Sequence, residues 1–420
     1  MLQKSLTSIR WKYLLTSLQE IDWQLLLLSI GLTLLGGLMI RSTELNQGLN
    51  DWWSHWIVGG IGLAIAIFIA RSRYELLLQW HWVIYGITNI SLIAVMLVGI
   101  SANGAQRWLS LGGFQVQPSE LAKVSLIITL AALLHAKPAS SLGSLFHVLG
   151  VAAVPWMFVF LEPNLGTSLV FGAITMGMLY WGNANPGWLL LMGSPIISAI
   201  LFNAFLPAWF IWVIAMAVIA WRSIPSPFSA GLPALAALVV NLLSGGLGKF
   251  FWGLLKDYQK QRLVLFLDPA QDPLGGGYHL IQSRIAIGAG ELWGRGLNQG
   301  TQTQLSFIPE QHTDFIFSAI GEELGFVGCI CVLIFFWLLC LRLVIIAQTA
   351  KDNFGSLLAI GVLSMIVFQT VVNIGMTIGL APITGIPLPF LSYARWSLVA
   401  NFIGIGLVES VANYRHRLRF

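Results

Sequence analysis

Phe326-Val327-Gly328-Cys329-Ile330-Cys331-Val332-Leu333-Ile334-Phe335-Phe336-Trp337-Leu338-Leu339-Cys340-Leu341 is an unbroken apolar run that ends at Arg342. It is the heart of a candidate span over 314–341, and a helix needs only about 20 such residues to cross a bilayer. Further stretches read the same way at 22–40, 52–70, 80–100, 118–136, 144–161, 165–182, 187–206, 208–221, 229–255, 356–380 and 392–412. That makes about twelve spans by the same criterion. Only Pro207 separates 187–206 from 208–221, so that region reads either as two spans or as a re-entrant hairpin. Of 420 residues, 57% are hydrophobic and 9% charged, against about 25% charged in soluble domains. A soluble enzyme is excluded, and so is a disordered chain, which needs low hydrophobicity. The fold class is an all-α polytopic membrane protein. The first apolar run, from Trp23 to Ile40, is long enough to span and has no small-residue cleavage site after it, so no cleavable signal peptide is visible. Cys329, Cys331 and Cys340 share one apolar stretch and read as packing residues, not as a disulfide or zinc framework.

Sidedness follows from Lys and Arg in the short loops. One side collects Lys4, Arg10, Lys12, Arg71, Arg73, Lys137, Arg222, Arg342, Lys351, Arg415, Arg417 and Arg419. The other holds little beyond Arg41 and Arg107. Both termini are therefore expected in the cytoplasm: a short segment 1–21, the membrane domain 22–412, and a basic tail 413–420. The net charge of +5 is small for this length, and no nucleic-acid partner is expected. The long polar segment 257–313 then falls outside. Connections of that length in compact folds are usually functional, and this one carries Asp257, Asp268, Asp272, Glu291 and Glu310 with Lys260, Arg262, Arg284 and Arg295. Within it, Gln282 to Ile287 is apolar enough to re-enter the interface.

Ionisable residues within spans are functional hypotheses by default. Glu120 and Lys123 lie at i and i+3 behind the helix start Pro118-Ser119, so they share a face and can pair. They read either as a structural ion pair or as a polar wall of an outward cavity. Glu322 and Glu323 are placed about two turns inside their span, and Arg395 and Glu409 are also read as intramembrane. The sequence Pro309-Glu310-Gln311-His312-Thr313-Asp314-Phe315 puts a carboxylate beside an imidazole where the external loop enters the membrane. Partial desolvation there suits a carboxylate to proton abstraction. Asp314 is equally placed to cap the helix that follows.

Together these stretches resemble the SEDS family (shape, elongation, division and sporulation proteins), in its RodA branch. The resemblance is carried by Gly104-Ala105-Gln106-Arg107-Trp108-Leu109, Gln117-Pro118-Ser119-Glu120-Leu121-Ala122-Lys123 and Pro163-Asn164-Leu165-Gly166-Thr167. It continues through Tyr258-Gln259-Lys260-Gln261-Arg262, Phe266-Leu267-Asp268-Pro269 and Gly300-Thr301-Gln302-Thr303-Gln304-Leu305 to His312-Thr313-Asp314-Phe315-Ile316-Phe317. Asn373-Ile374-Gly375-Met376 and Pro382-Ile383-Thr384-Gly385-Ile386-Pro387-Leu388-Pro389-Phe390 complete it, so that it covers roughly residues 20 to 412.

The resemblance implies a ten-helix bundle, here with 187–221 as an inserted hairpin, and a peptidoglycan glycosyltransferase acting at the outer face of the bacterial inner membrane. Its implied substrate is lipid II, an undecaprenyl-pyrophosphate-linked disaccharide pentapeptide. Its implied partners are a class B, PBP2-like penicillin-binding protein and membrane lipids. The family's essential aspartate falls on Asp314 and its loop tryptophan on Trp108. Transfer from a pyrophosphate donor also needs cations, and Arg107, Lys123, Arg262 and Arg284 are the candidates, since guanidinium forks suit phosphate oxygens. Glu120, Asn164, Gln282 and His312 complete the implied substrate site. No carboxylate cage for a metal is visible; Mg²⁺ or Mn²⁺ would bind with the substrate pyrophosphate, and its use stays open. Two departures stand out. Asn164 replaces the family's Asp, with Glu162 two residues earlier where Gln is usual, and Ala394-Arg395-Trp396 replaces Gly-Gly and a small hydroxyl residue. A lipid II flippase and a non-catalytic scaffold remain the rival readings.

Overall fold

The computed structural model describes residues 21–46, 48, 51–102, 105–111, 114–162, 164–224, 231–254, 260, 265, 272 and 277–415. The long apolar stretches form α1 (Trp23–Glu44), α2 (Asp51–Arg71), α3 (Leu76–Val98), α4 (Pro118–Ala136), α5 (Leu142–Leu161) and α6 (Leu165–Trp181). After them come α7 (Pro186–Ala204), α8 (Leu206–Ser223) and α9 (Gly231–Leu254). The loop contributes α10 (Tyr278–Ala289) and α11 (Thr301–Gln304), and the chain closes with α12 (Ile316–Thr349), α13 (Asn353–Ile378) and α14 (Arg395–Tyr414). Among the described residues nine helices are long and apolar enough to cross a membrane, with α6 and parts of α7 and α9 as shorter apolar helices. This is a multi-pass membrane protein. Its backbone polar groups are satisfied within helices, as an apolar medium requires.

Local chemistry sets the helix starts. Asp22, Ser141, Asn164 and Asp352 accept from backbone N–H groups three residues on, opening α1, α5, α6 and α13. Pro118 occupies the first turn of α4, where a missing N–H costs nothing. The most enclosed spans are α4, α13 and α14, whereas α3 and α8 turn most of their surface outward. Far from Asp314, side chains fasten the helix ends together. The Arg342 guanidinium grips the Asp22 carboxylate at 2.8–2.9 Å through Nε, Tyr74 donates to Asp352 at 3.1 Å, and Asn413 donates to the Ala70 carbonyl at 2.9 Å. Glu409, fully buried, accepts from the Asp22 backbone N–H at 3.0 Å.

Three features depart from the sequence reading. First, the connection after α3 is a small antiparallel sheet: β1 (Ile100–Ala102), β2 (Ala105–Leu111) and β3 (Phe114–Val116), in the order β1-β2-β3. β2 and β3 pair with Leu111 opposite Phe114. Second, α12 is broken at Gly325, whose φ of 69° and ψ of −167° are non-helical. Glu322 and Glu323 therefore lie on a short segment ahead of the kink, not inside the long span. Backbone groups freed by the break pair with the loop: Arg295 and Gly296 donate to the Glu322 and Glu323 carbonyls, and Phe326 and Val327 donate to those of Glu291 and Leu292, at 2.9–3.1 Å. Third, α7, α8 and α9 pack chiefly on one another and meet the rest mainly where α7 leaves α6. Asn241 is at the centre of this satellite, donating to Ser194 at 3.1 Å and accepting from Ser198 through its carbonyl at 2.7 Å.

Candidate active site

The start of α12 meets the loop between α13 and α14 at Asp314. Its backbone N–H donates to the Glu310 carbonyl at 3.1 Å, and its own carbonyl accepts from Asn373 at 2.9 Å. The same Asn373 amide donates to the Ile386 carbonyl at 2.8 Å, so one side chain of α13 clamps both segments. Asp314 does not cap α12: that position belongs to Phe315, and no side chain caps there. The Asp314 carboxylate is only partly exposed and lies beside Gly385. A Cβ at Gly385 would stand 3.4 Å from Oδ2, and the φ of +71° there disfavours any side chain. A carboxylate held in place by its backbone, half withdrawn from water and free of the helix-capping role, is equipped to take up a proton.

His312 engages the loop ahead of α14. Its carbonyl accepts from the Tyr393 N–H at 2.9 Å, and its ring stands 5.8 Å from the Tyr393 ring. The Tyr393 hydroxyl donates to Asp51 at 2.8 Å and accepts from Arg395 Nε at 2.8 Å. Arg395 lies at the very end of its span. It is the exposed first residue of α14, 3.8 Å from Asp51, and Trp396 donates to the Gln115 carbonyl of β3.

The loop forms a wall built on hydroxyl and carboxylate contacts. Ser283 joins Ser318 at 2.6 Å and donates to the Thr377 carbonyl at 2.7 Å, pinning α10 to α12 and α13. Arg284 beside it is exposed but donates to the Gly379 carbonyl at 3.2 Å, where a cation favours the helix C-terminus. Gln282 is half-buried on the same helix. Glu322 accepts from Thr303 N–H and hydroxyl at 2.8 and 2.7 Å and from Gln302 N–H at 2.8 Å, latching α11. The Gly-Thr-Gln stretch is therefore the binding partner of a carboxylate that the sequence reading had buried in a span.

On the small sheet, Arg107 and Trp108 sit half-buried on β2. Asn164 is buried and accepts from Thr167 N–H at 3.3 Å, so its direct job is to start α6. Glu162, just past the end of α5, is 4% exposed, and neither of its carboxylate oxygens has a hydrogen-bond partner. Burial pushes its pKa up to about 8, against the pull of the nearby Arg107 charge. Glu120 and Lys123 form a buried ion pair of 2.7 Å on α4. That favours the structural reading of the pair, since separating either partner would strand a charge. Arg262 lies outside the described residues. Among the described residues no three His, Cys, Asp or Glu side chains gather as a metal site. Asn373, Gly385, Ser283 and the latch role of Glu322 were not anticipated. Their signal was their presence in polar motifs at span ends.

A many-helix membrane bundle with a carboxylate at the mouth of one helix, walled by a folded loop and a small sheet, defines a class of multi-pass membrane enzymes. A family model described as "Cell cycle protein" (FtsW, RodA, SpoVE) matches residues 20–209 and 196–417. The two matches meet within the satellite helices. The chain is 34% identical over 402 residues to the peptidoglycan glycosyltransferase MrdB of Escherichia coli K12, covering 95% of each. It is 33% identical over 422 residues to the peptidoglycan glycosyltransferase RodA of Treponema pallidum, covering 93% of this chain and 97% of that one. Among solved structures it matches a chain described under structural coordination of polymerization and crosslinking by a peptidoglycan synthase complex. That match has a TM-score of 0.70 and 27% identity and covers 94% of this chain and 99% of the other. The rod shape determining protein RodA of Thermus thermophilus, at 23% identity and a TM-score of 0.61 over 94% of this chain and 98% of its own, shares the fold. The chain belongs to the FtsW/RodA/SpoVE (SEDS) family, with RodA-type proteins among its relatives.

Proposed function

We propose that the chain polymerises lipid II into glycan strands with Asp314 as the general base. It is a peptidoglycan glycosyltransferase, as its relatives along nearly their whole length are named, and this sets aside the flippase and scaffold readings. In the proposed step an acceptor sugar hydroxyl attacks the anomeric carbon joined to pyrophosphate. The bond from that carbon to the pyrophosphate oxygen breaks, the hydroxyl proton passes to Asp314, and the lipid pyrophosphate leaves. Arg107 and Arg284 are the cations for the departing charge. Trp108 packs against the sugar or the isoprenyl chain. Gln282 and His312 line the approach. Asn164, Glu120 and Lys123 act by holding α6 and α4 in place.

One observation carries this reading: Asp314 is fixed by its backbone between two motif segments through Asn373, leaving its carboxylate uncommitted to helix capping. A Mg²⁺ or Mn²⁺ ion would be held here by substrate phosphates plus one or two carboxylates. The loop face is read as external and the basic end as cytoplasmic, at the bacterial inner membrane. A class B penicillin-binding protein that crosslinks the product is the proposed partner. Purified protein given labelled lipid II should yield polymer on a gel, and Asp314→Asn should lose activity by a factor of about 10² to 10⁴. Wild-type polymer from a folded Asn variant would remove Asp314 from the chemistry.

A further inference from the structure

Two amides stand deep in the bundle with no protein group to bond. Gln369 on α13 is fully buried, and neither its Oε1 nor its Nε2 has a hydrogen-bond partner. Asn401 on α14 is 1% exposed, and its Oδ1 and Nδ2 are equally unpartnered. A third atom of this kind is Oδ1 of Asn373, whose N–H groups hold the Asp314 and Ile386 carbonyls. The packing of α14 on α13 brings these residues to one region. A Cβ at Gly404 would stand 3.3–3.4 Å from the Val362 methyls and 3.6 Å from Met365 Cε. The two helices run antiparallel, since Gly355 near the start of α13 faces Val411 near the end of α14. Asn401 lies about one turn before Gly404, and Gln369 about one turn after Met365. Both amides are therefore displaced toward the Asp314 end of the same junction. Asn373 follows Gln369 by one further turn, on a neighbouring position of the α13 surface.

Buried polar groups in proteins are bonded either to protein or to ordered water. The chemistry of this set selects the occupant. It offers the NH₂ groups of Gln369 and Asn401 as donors and three carbonyl oxygens as acceptors. A cation would engage the oxygens and strand the N–H groups, and an anion would do the reverse. Water both donates and accepts, and it bonds several buried polar groups at once. All five atoms are closed off from bulk solvent, which limits the occupant to something of water's size.

We propose that Gln369, Asn401 and the Asn373 carbonyl share a cluster of ordered water between α13 and α14, and that this cluster holds the Asn373 clamp in register with α14. The water site stands on the buried amides alone; its consequence for catalysis rests on the reading of Asp314 as the base. Gln369 and Asn401 are positioning residues. They touch no reacting atom and act on Asp314 through water and Asn373.

The test uses the full chain in nanodiscs. A density map sharp enough to show ordered water should place it about 2.7–3.2 Å from the Gln369 and Asn401 amides. A map in which the two side chains bond each other directly, or in which no water lies beside them, overturns the proposal. Thermal midpoints of Gln369→Met, Asn401→Leu and the double variant give an independent reading. Both substitutions nearly preserve volume and remove the polar atoms. Each single variant strands groups that shared the cluster, so the double should be no less stable than the worse single. Additive losses, or a double variant that fails to fold where a single one folds, would overturn the shared cluster. Polymerisation of lipid II is then read on folded variants. Either single substitution should lower kcat by about tenfold with KM unchanged, within the range that a small misplacement of a reacting group costs. That loss should not add to the loss in Asn373→Ala, because both act through one clamp. Unchanged kcat, or a loss that adds to that of Asn373→Ala, would overturn the link to Asp314. If wild type makes no polymer, it is the Asp314 reading that fails, and the map and midpoints still decide the water site.

Discussion

Asn373 shows how much a single amide can organise. Its two N–H groups reach the Asp314 carbonyl and the Ile386 carbonyl at 2.9 and 2.8 Å, tying Asp314 to the loop that borders it. Leaving two buried carbonyls without donors costs about 1–3 kcal/mol each. Asn373→Ala should therefore lower the thermal midpoint, and it should reduce polymerisation more than the stability loss explains because the base is no longer held. Full activity at a temperature where the variant stays folded would assign Asn373 to packing alone. Asp314 stood out as a candidate in the sequence because a carboxylate at a loop–span boundary is rare in so uncharged a chain. Its clamp was not legible, because an Asn near a span end fits equally well as a lipid-interface residue. Asn164 shows the opposite case. The sequence marked it as a departure from the family's Asp, whereas its side-chain oxygen caps α6 as an aspartate oxygen would.

At the scale of elements, apolar length was a sufficient guide to the long helices, because a span is set by bilayer thickness and little else. It could not find the break at Gly325. A glycine inside an apolar helix is common in membranes, and what breaks this one is a loop that arrives from outside it. The Gly294 backbone comes so close that a Cβ on Gly325 would lie 2.2 Å from its nitrogen. The loop's hold on the kink also places Glu322 to latch α11, so two features missed in the sequence share one cause. The sheet was missed because its strands are short and β1 continues directly from α3. Gly325→Ala combines that clash with a φ of +69°, a region in which a non-glycine residue is strained by about 1–3 kcal/mol. The loop should detach before the bundle does. Hydrogen exchange should show faster exchange over 290–304 with the long part of α12 still protected. Uniform loss of protection across all helices would mean that the kink is integral to the bundle itself.

For the whole molecule, the decisive question is which end faces outward. The end bearing Asp314 also carries the folded loop, the sheet and the Tyr393–Asp51–Arg395 cluster, and little excess basic charge. The opposite end carries Arg71, Arg73, Lys137, Arg222, Arg342, Lys351 and Arg415. Basic residues in short loops stay on the cytoplasmic side. The satellite of α7, α8 and α9 bears on this directly. Its first pair, α7 and α8, read as two added crossings, leaves the loop on the external side; read as a single re-entrant hairpin, it also leaves parity unchanged. One extra crossing alone would invert everything after it. A cysteine in place of Gln299, exposed on the loop, should react with an impermeant maleimide added outside intact cells, in a background without Cys329, Cys331 and Cys340. A cysteine in place of Asn353, exposed at the start of α13, should react only after the membrane is opened. The two sites flank α12, so reaction of both from outside would mean that α12 does not cross. Reaction of Asn353→Cys alone would turn the site inward, where an external polymer could not be made.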